Sequence, residues 1–197
     1  MKKIEITNLS LPNNYDLGFD NSVQIPHFGV NRAINYSWGN TTLNEYDLDA
    51  LCNIALYSQS TSTPNFVQYS PLTSCFLDDL AVSVTKLNEQ YFNFELWGIN
   101  SGIQFLFFDE NRSAPDWQCI LKPGKSSEKL VAIMGISNPS AASGGECEIL
   151  DNGRPIKFEY IRGRIYVFPA WTHFRFAPVE FGTRLFLSFT VFGSSFK

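Results

Sequence analysis

GRIYVFPAWTHFRFAPVEFGTRLFLSFTVFG, residues 163–193, is the stretch whose reading decides the fold. Its β-branched and aromatic runs, broken by Gly and Pro, read as three strands: Arg164–Phe168, Thr172–Phe176 and Arg184–Phe192. His173, one of 2 histidines in the chain, stands in the middle run. Arg184 follows in a Gly-Thr-Arg turn. A polar ring and a guanidinium thus arise from strands that are otherwise apolar. The second histidine, His27, lies far upstream.

Working back towards the N-terminus, further short strands are expected at Ile103–Phe108, Trp117–Leu121, Leu130–Ile136, Glu146–Leu150 and Pro155–Tyr160. Within Glu146–Leu150, Glu146 and Glu148 alternate with Cys147 and Ile149, giving one wet and one dry face. Before residue 92 the period changes. Thr42 and Glu45 have the spacing of a capping box, and Leu48, Leu51, Cys52 and Ala55 then repeat as one helical stripe. The polar stretch Ser58–Asn65, with Pro64, ends that helix. A second helix is expected from Ser74, with Asp78 and Asp79 near its positive end and Leu77, Leu80, Val84, Leu87 and Tyr91 on its buried face. Residues 1–40, rich in Asn, Ser, Gly and Pro, read as an extended arm with a short strand at Lys3–Ile6. The expected fold is therefore α+β, mainly β: a double-stranded β-helix (jelly roll) over residues 41–197, backed by two N-terminal helices, with an arm at 1–40.

Composition bounds the function. The 197 residues are 44% hydrophobic and 15% aromatic, with 18 Phe, yet only 17% charged, below the roughly 25% of an average soluble protein. That balance fits surface buried against protein subunits, of this chain or another. A net charge of −4 with no Lys/Arg run argues against a nucleic-acid partner. No apolar run reaches the roughly 20 residues that span a bilayer. Cys52, Cys75, Cys119 and Cys147 are widely spaced and form no Cys-x-x-Cys pair. With no secretory leader they read as reduced core cysteines of a cytoplasmic product. The sequence holds no Ser/His/Asp, phosphate-loop or zinc spacing. Gly144, Gly145 and Gly182 read as turn glycines.

Four segments carry a resemblance to a known family. LDDLAVSVTKLNEQYFNFEL, IQFLFFDENRSAPDWQCIL, KLVAIMGISNPSAASGGECEIL and the quoted C-terminal run resemble, in order and spacing, the iron(II)/2-oxoglutarate-dependent oxygenases of the prolyl 4-hydroxylase-like type found in bacteria and phages. The resemblance implies Fe(II) held by two His and one carboxylate, with 2-oxoglutarate beside it. In the family these ligands come as a Trp-His-x-Asp motif and a distal His.

On this sequence the distal His maps onto His173, and Arg184 onto the arginine that pairs with the far carboxylate of 2-oxoglutarate. Trp117 aligns the first motif, placing Gln118 where His is expected and Ile120 where the carboxylate is expected. Phe108 stands where the family often carries a Tyr. Two of three ligands are thus replaced, so the expectation is a vestigial site of His173, Gln118 and Ile120, with no cofactor. The protein then serves as a structural or binding module, and the family's phage members imply a virion or tail-associated setting. The alternative is an active hydroxylase using Fe(II) and 2-oxoglutarate, in which a shift of register lets Asp116 or Cys119, or Gln118 itself, join His173. Arg184 needs an acceptor in either case: Asp116, Glu180 or a small carboxylate.

Overall fold

A computed structural model describes residues 36–60, 66–67, 74–99, 103–111, 116–121 and 127–194. The expected strand at Lys3–Ile6, His27 and most of the arm lie outside them. Among the described residues, two α-helices, α1 (Glu45–Ser60) and α2 (Ser74–Leu87), accompany eleven strands. The strands are β1 (Ser37–Asn40), β2 (Phe66–Val67), β3 (Leu96–Ile99), β4 (Ile103–Asp109), β5 (Glu128–Gly135), β6 (Ala142–Gly144), β7 (Cys147–Asp151), β8 (Arg154–Lys157), β9 (Arg164–Pro169), β10 (Phe174–Phe176) and β11 (Val179–Gly193). A major antiparallel sheet runs β1-β9-β5-β11-β4-β2, with β3 and β6 also paired to β11. A minor sheet runs β10-β7-β8. The chain is mainly β, and its sheets are antiparallel, as expected. No helix among the described residues is long and apolar enough to cross a membrane.

The period of two explains the layers. In β5, Leu130, Ala132 and Met134 face one way and pack with Leu48, Leu51 and Ala55 of α1 and Leu80, Ala81, Val84 and Leu87 of α2. Val131 and Ile133 face the other way and meet the minor sheet. A strand buried on both faces needs an unbroken apolar run, and KLVAIMG supplies nearly that. β11 divides its side chains in the same manner. Leu185, Leu187, Phe189 and Val191 go to the helical side, and Phe186 goes between the sheets. This second layer is aromatic: Phe158, Tyr166, Phe168, Phe174, Phe176 and Phe186 fill it, with Cys147 and Ile149 from β7.

Several boundaries differ from expectation. Asn44, not Thr42, caps α1: its Oδ1 accepts from the Asp47 N–H at 3.1 Å, and Asp47 Oδ2 accepts in return from the Asn44 N–H at 3.0 Å. The same reciprocal logic is met two residues further on, because a shorter Asn/Asp pair reaches both amides. Ser37–Asn40, placed in the arm by composition, is a strand paired to β9. Trp117–Leu121 is not a strand; only a single bridge forms there, between Gln118 and Phe174. Beyond α2 the chain widens into a π-helical turn, Asn88–Phe92, which the Asn88 side chain closes by bonding both Phe94 N–H and Phe94 C=O at 2.9 Å.

Arg162 ties α1 to the sheets. Its Nε donates to the Ile136 carbonyl at 2.9 Å, and its terminal nitrogens pair with Glu45 and Asp49 on one face of the helix. The Cys52 thiol donates to the same carbonyl at 3.0 Å. Burial raises the Cys52 thiol above its usual range, with Arg162 pulling the other way. Cys147 lies fully inside the aromatic layer, and burial pushes its thiol far up. A thiolate there would be strongly disfavoured. Cys147 is therefore expected to stay unmodified by a water-soluble disulfide reagent in the native protein and to react only on unfolding. Peptide mapping after a timed exposure checks this, and native-state labelling of Cys147 would contradict the burial.

Candidate functional site between the sheets

The quoted C-terminal segment sets the site through strand phase. Phe174 and Phe176 of β10 lie opposite Ile149 and Cys147 of β7, and all four point into the aromatic layer. Arg175, between them, lies opposite Glu148 and bonds it at 2.8 Å on the outer face. Its guanidinium also covers the Trp117 ring at 4.5 Å. His173 is in phase with Arg175, not with Phe174, and is exposed. Its carbonyl extends the ladder by accepting from Leu150 N–H at 2.8 Å. The inward position on this strand is Phe174, only 3% exposed.

The other expected ligand positions follow the same logic. Gln118 exchanges both backbone hydrogen bonds with Phe174, each 2.9 Å, and is exposed. Ile120 is half-buried and packs against the aromatic layer. Asp116 is exposed. The Cys119 thiol is directed to main-chain carbonyls, 3.4 Å from Ala170 O and 3.6 Å from Leu121 O. Among the described residues no group of three or more His, Cys, Asp or Glu is placed to hold a metal ion. An Ile side chain offers no lone pair, a neutral amide is a weak donor, and the imidazole sits on the outer face. This donor set does not fit an iron(II) centre.

Arg184, at the start of the apolar part of β11, is 5% exposed. Its acceptors are neither Asp116 nor Glu180. Nε donates to Gly144 O at 3.0 Å and one terminal nitrogen donates to Pro139 O at 3.0 Å. Glu180 instead accepts from Ser143 Oγ at 2.9 Å. The guanidinium lies 4.0 Å from the Tyr160 ring centroid, a cation–π contact strengthened by burial. Tyr160 is held by Ser137, whose hydroxyl is 2.7 Å from the phenol oxygen, and by the Leu185 carbonyl at 3.1 Å. Burial raises the Tyr160 pKa, so the phenol stays a donor; Ser137 and Arg184 oppose the shift. Gly135 makes the ring's close approach feasible, since a Cβ there would stand 2.8 Å from Tyr160 carbon atoms. Sequence reasoning missed Ser137 and Tyr160 because neither belongs to a ligand motif. The inward role of Phe174 was legible in the FRF alternation.

Three solved structures share this arrangement of strands and helices. A prolyl 4-hydroxylase from Pseudomonas putida has a TM-score of 0.65 at 13% identity, covering 81% of this chain and 89% of that one. The fold is that of the prolyl 4-hydroxylases. A prolyl hydroxylase from Trichoplax adhaerens, solved with a hypoxia inducible factor peptide fragment, gives 0.64 at 10% identity, over 81% of this chain and 84% of that one. The viral collagen prolyl hydroxylase of Paramecium Bursaria Chlorella virus-1, solved as a 2-oxoglutarate complex, gives 0.62 at 12% identity, over 82% of this chain and 97% of that one. No protein-family model matches the sequence, and no curated protein matches it.

Proposed function

We propose that this chain is a non-catalytic protein built on the oxygenase double-stranded β-helix, used as a structural or binding module for protein partners. The observation that carries the reading is the phase of β10: the inward side chain is Phe174, while His173 faces out beside Arg175. With Ile120 and Gln118 at the other ligand positions, the donors an iron centre requires do not converge. Low charge and apolar side chains left exposed, such as Tyr46 and Leu56 on α1 and Phe181 on β11, support burial against other subunits. A virion or tail-associated setting is the narrower form of this proposal. It draws on the family's phage members alone.

Purified protein supplied with Fe(II), ascorbate and 2-oxoglutarate is expected to form no succinate above a protein-free blank. Iron-dependent succinate formation would overturn the reading. The fold likeness to a protein solved with 2-oxoglutarate favours a second reading, an active hydroxylase with unusual ligands. It requires His173→Ala to abolish both metal uptake and turnover. On our reading the metal content of wild type and His173→Ala is the same.

A further inference from the structure

The donor set does not fit iron, and the surrounding side chains carry that disagreement further. We infer that the space between the sheets has been converted from a cofactor pocket into a closed aromatic core, and Arg184 from a ligand-binding arginine into an internal clasp. The inference rests on the non-catalytic reading and deepens it: restoring the missing ligands does not restore the site.

Ring packing is the first argument. Phe176 has no exposed surface, and its ring centroid lies 4.5 Å from Phe108, 4.8 Å from Phe186 and 6.2 Å from Phe174. Phe174 in turn lies 5.3 Å from Phe168, and Phe186 lies 5.3 Å from Tyr160. These are contact distances for aromatic pairs, so the rings leave no gap for a diacid between them. The void bordered by Phe158, Tyr160, Tyr166 and Phe186 measures about 10 Å³, room for one water at most. Small-molecule pockets run to about 300–1,000 Å³.

Arg184 supplies the second argument, independent of the first. A carboxylate-binding arginine must present its fork of N–H groups to the ligand. Here Nε and one terminal nitrogen are engaged by the carbonyls of Gly144 and Pro139, and the Tyr160 ring covers one face. Both carbonyls belong to the segment 137–145, which crosses over Arg184 and is seated by close backbone contact. A Cβ on Gly182 would stand 2.1 Å from Ala141 O, and one on Gly145 would stand 2.8 Å from Arg184 Cγ. An incoming diacid would have to displace this segment before reaching the guanidinium.

The test installs all three ligands together: Gln118→His and Ile120→Asp at the positions the motif alignment gives, and Phe174→His at the inward position of β10. Cobalt(II) chloride serves as the probe, because its visible absorption changes when it enters a protein site. The variant is expected to leave the free-ion spectrum unchanged at equimolar metal, and 2-oxoglutarate is expected to leave its melting temperature unchanged. A protein-bound cobalt spectrum, or a melting shift with 2-oxoglutarate, would overturn the inference.

Phe176→Ala provides a second arm that does not depend on the folding of the triple variant. An emptied apolar core binds benzene and stays closed to a dianion. Saturating benzene is expected to raise the melting temperature of Phe176→Ala and leave wild type unmoved. The absence of any benzene shift, or a shift with 2-oxoglutarate, counts against a closed core. Succinate formation by wild type sinks the functional reading, whereas cobalt uptake by the triple variant of an inert wild type sinks only this inference.

Discussion

Phe176→Ala is expected to cost about 4 kcal/mol of folding stability, the middle of the range for deleting a fully buried phenylalanine. For a domain of this size that lowers the melting temperature by roughly 10 °C or more. The magnitude follows from position. Phe176 comes from the minor sheet, Phe186 from the major sheet and Phe108 from the neighbouring strand β4, so one ring joins three strands. Its removal both withdraws apolar area from burial and leaves a cavity that rigid strands do not collapse to fill. Phe181→Ala is the control: that ring is 65% exposed on the same strand as Phe186, and its loss is expected to change stability by less than about 0.5 kcal/mol. Urea denaturation of the two variants beside wild type measures both. A Phe176→Ala loss below about 1 kcal/mol would mean that the space between the sheets is loosely filled, contrary to the ring distances.

The sequence made the fold legible where side-chain period is strong. KLVAIMG is apolar at successive positions and became a strand buried on both faces, and LSFTVFG became the end of the spine strand β11 and pairs with β3, β4 and β5. Gly144, Gly145 and Gly182 all adopt positive φ, but Gly182-Thr183-Arg184 is not a turn. Gly182 sits within β11 and Gly144 ends β6, where the two strands pair, so only Gly145 lies in a connection. Legibility failed where tertiary contact decides. DWQCIL has strand-like composition, but its backbone pairs only at Gln118, with Phe174, and at Leu121, whose N–H bonds Ala170 O, so no ladder forms. Trp38 lay in a segment read as an arm, yet the chain there lines the sheet edge, with the Arg164 guanidinium 4.0 Å from the Trp38 ring.

At the site, the motif spacing drew attention to His173, although the alternation His173, Phe174, Arg175, Phe176 already placed every second residue on one face. A motif names residue types. Strand phase says which of them look inward, and the two disagree here by one residue. The acceptors of Arg184 could not have been read from sequence, because they are main-chain carbonyls rather than carboxylates.

Arg184→Met is expected to cost about 3 kcal/mol, even though it removes a buried charge and keeps a stem of similar length. Two opposing effects decide the sign. Burying a guanidinium without a carboxylate carries a desolvation cost, which the methionine relieves. Against that, the substitution removes two charge-assisted hydrogen bonds at once, to the part-buried carbonyls of Gly144 and Pro139, each worth about 1.5–3 kcal/mol. The contact with the Tyr160 face is also lost. The losses win because segment 137–145 has little apolar surface of its own to hold it: Asn138, Pro139, Ser140, Ala141 and Ser143 are all exposed.

The consequence is local before it is global. Amide exchange is expected to quicken at Ala141, whose N–H bonds Asn138 O, and at Gly145, whose N–H bonds Pro178 O, while Leu187 on the spine strand keeps its protection. Arg184→Lys should not rescue the segment. A single ammonium reaches one carbonyl with its head but lacks the planar fork that spans both. Recovery of wild-type exchange by lysine would show that charge alone holds this segment. Unchanged exchange in Arg184→Met would show that the guanidinium is not a clasp at all.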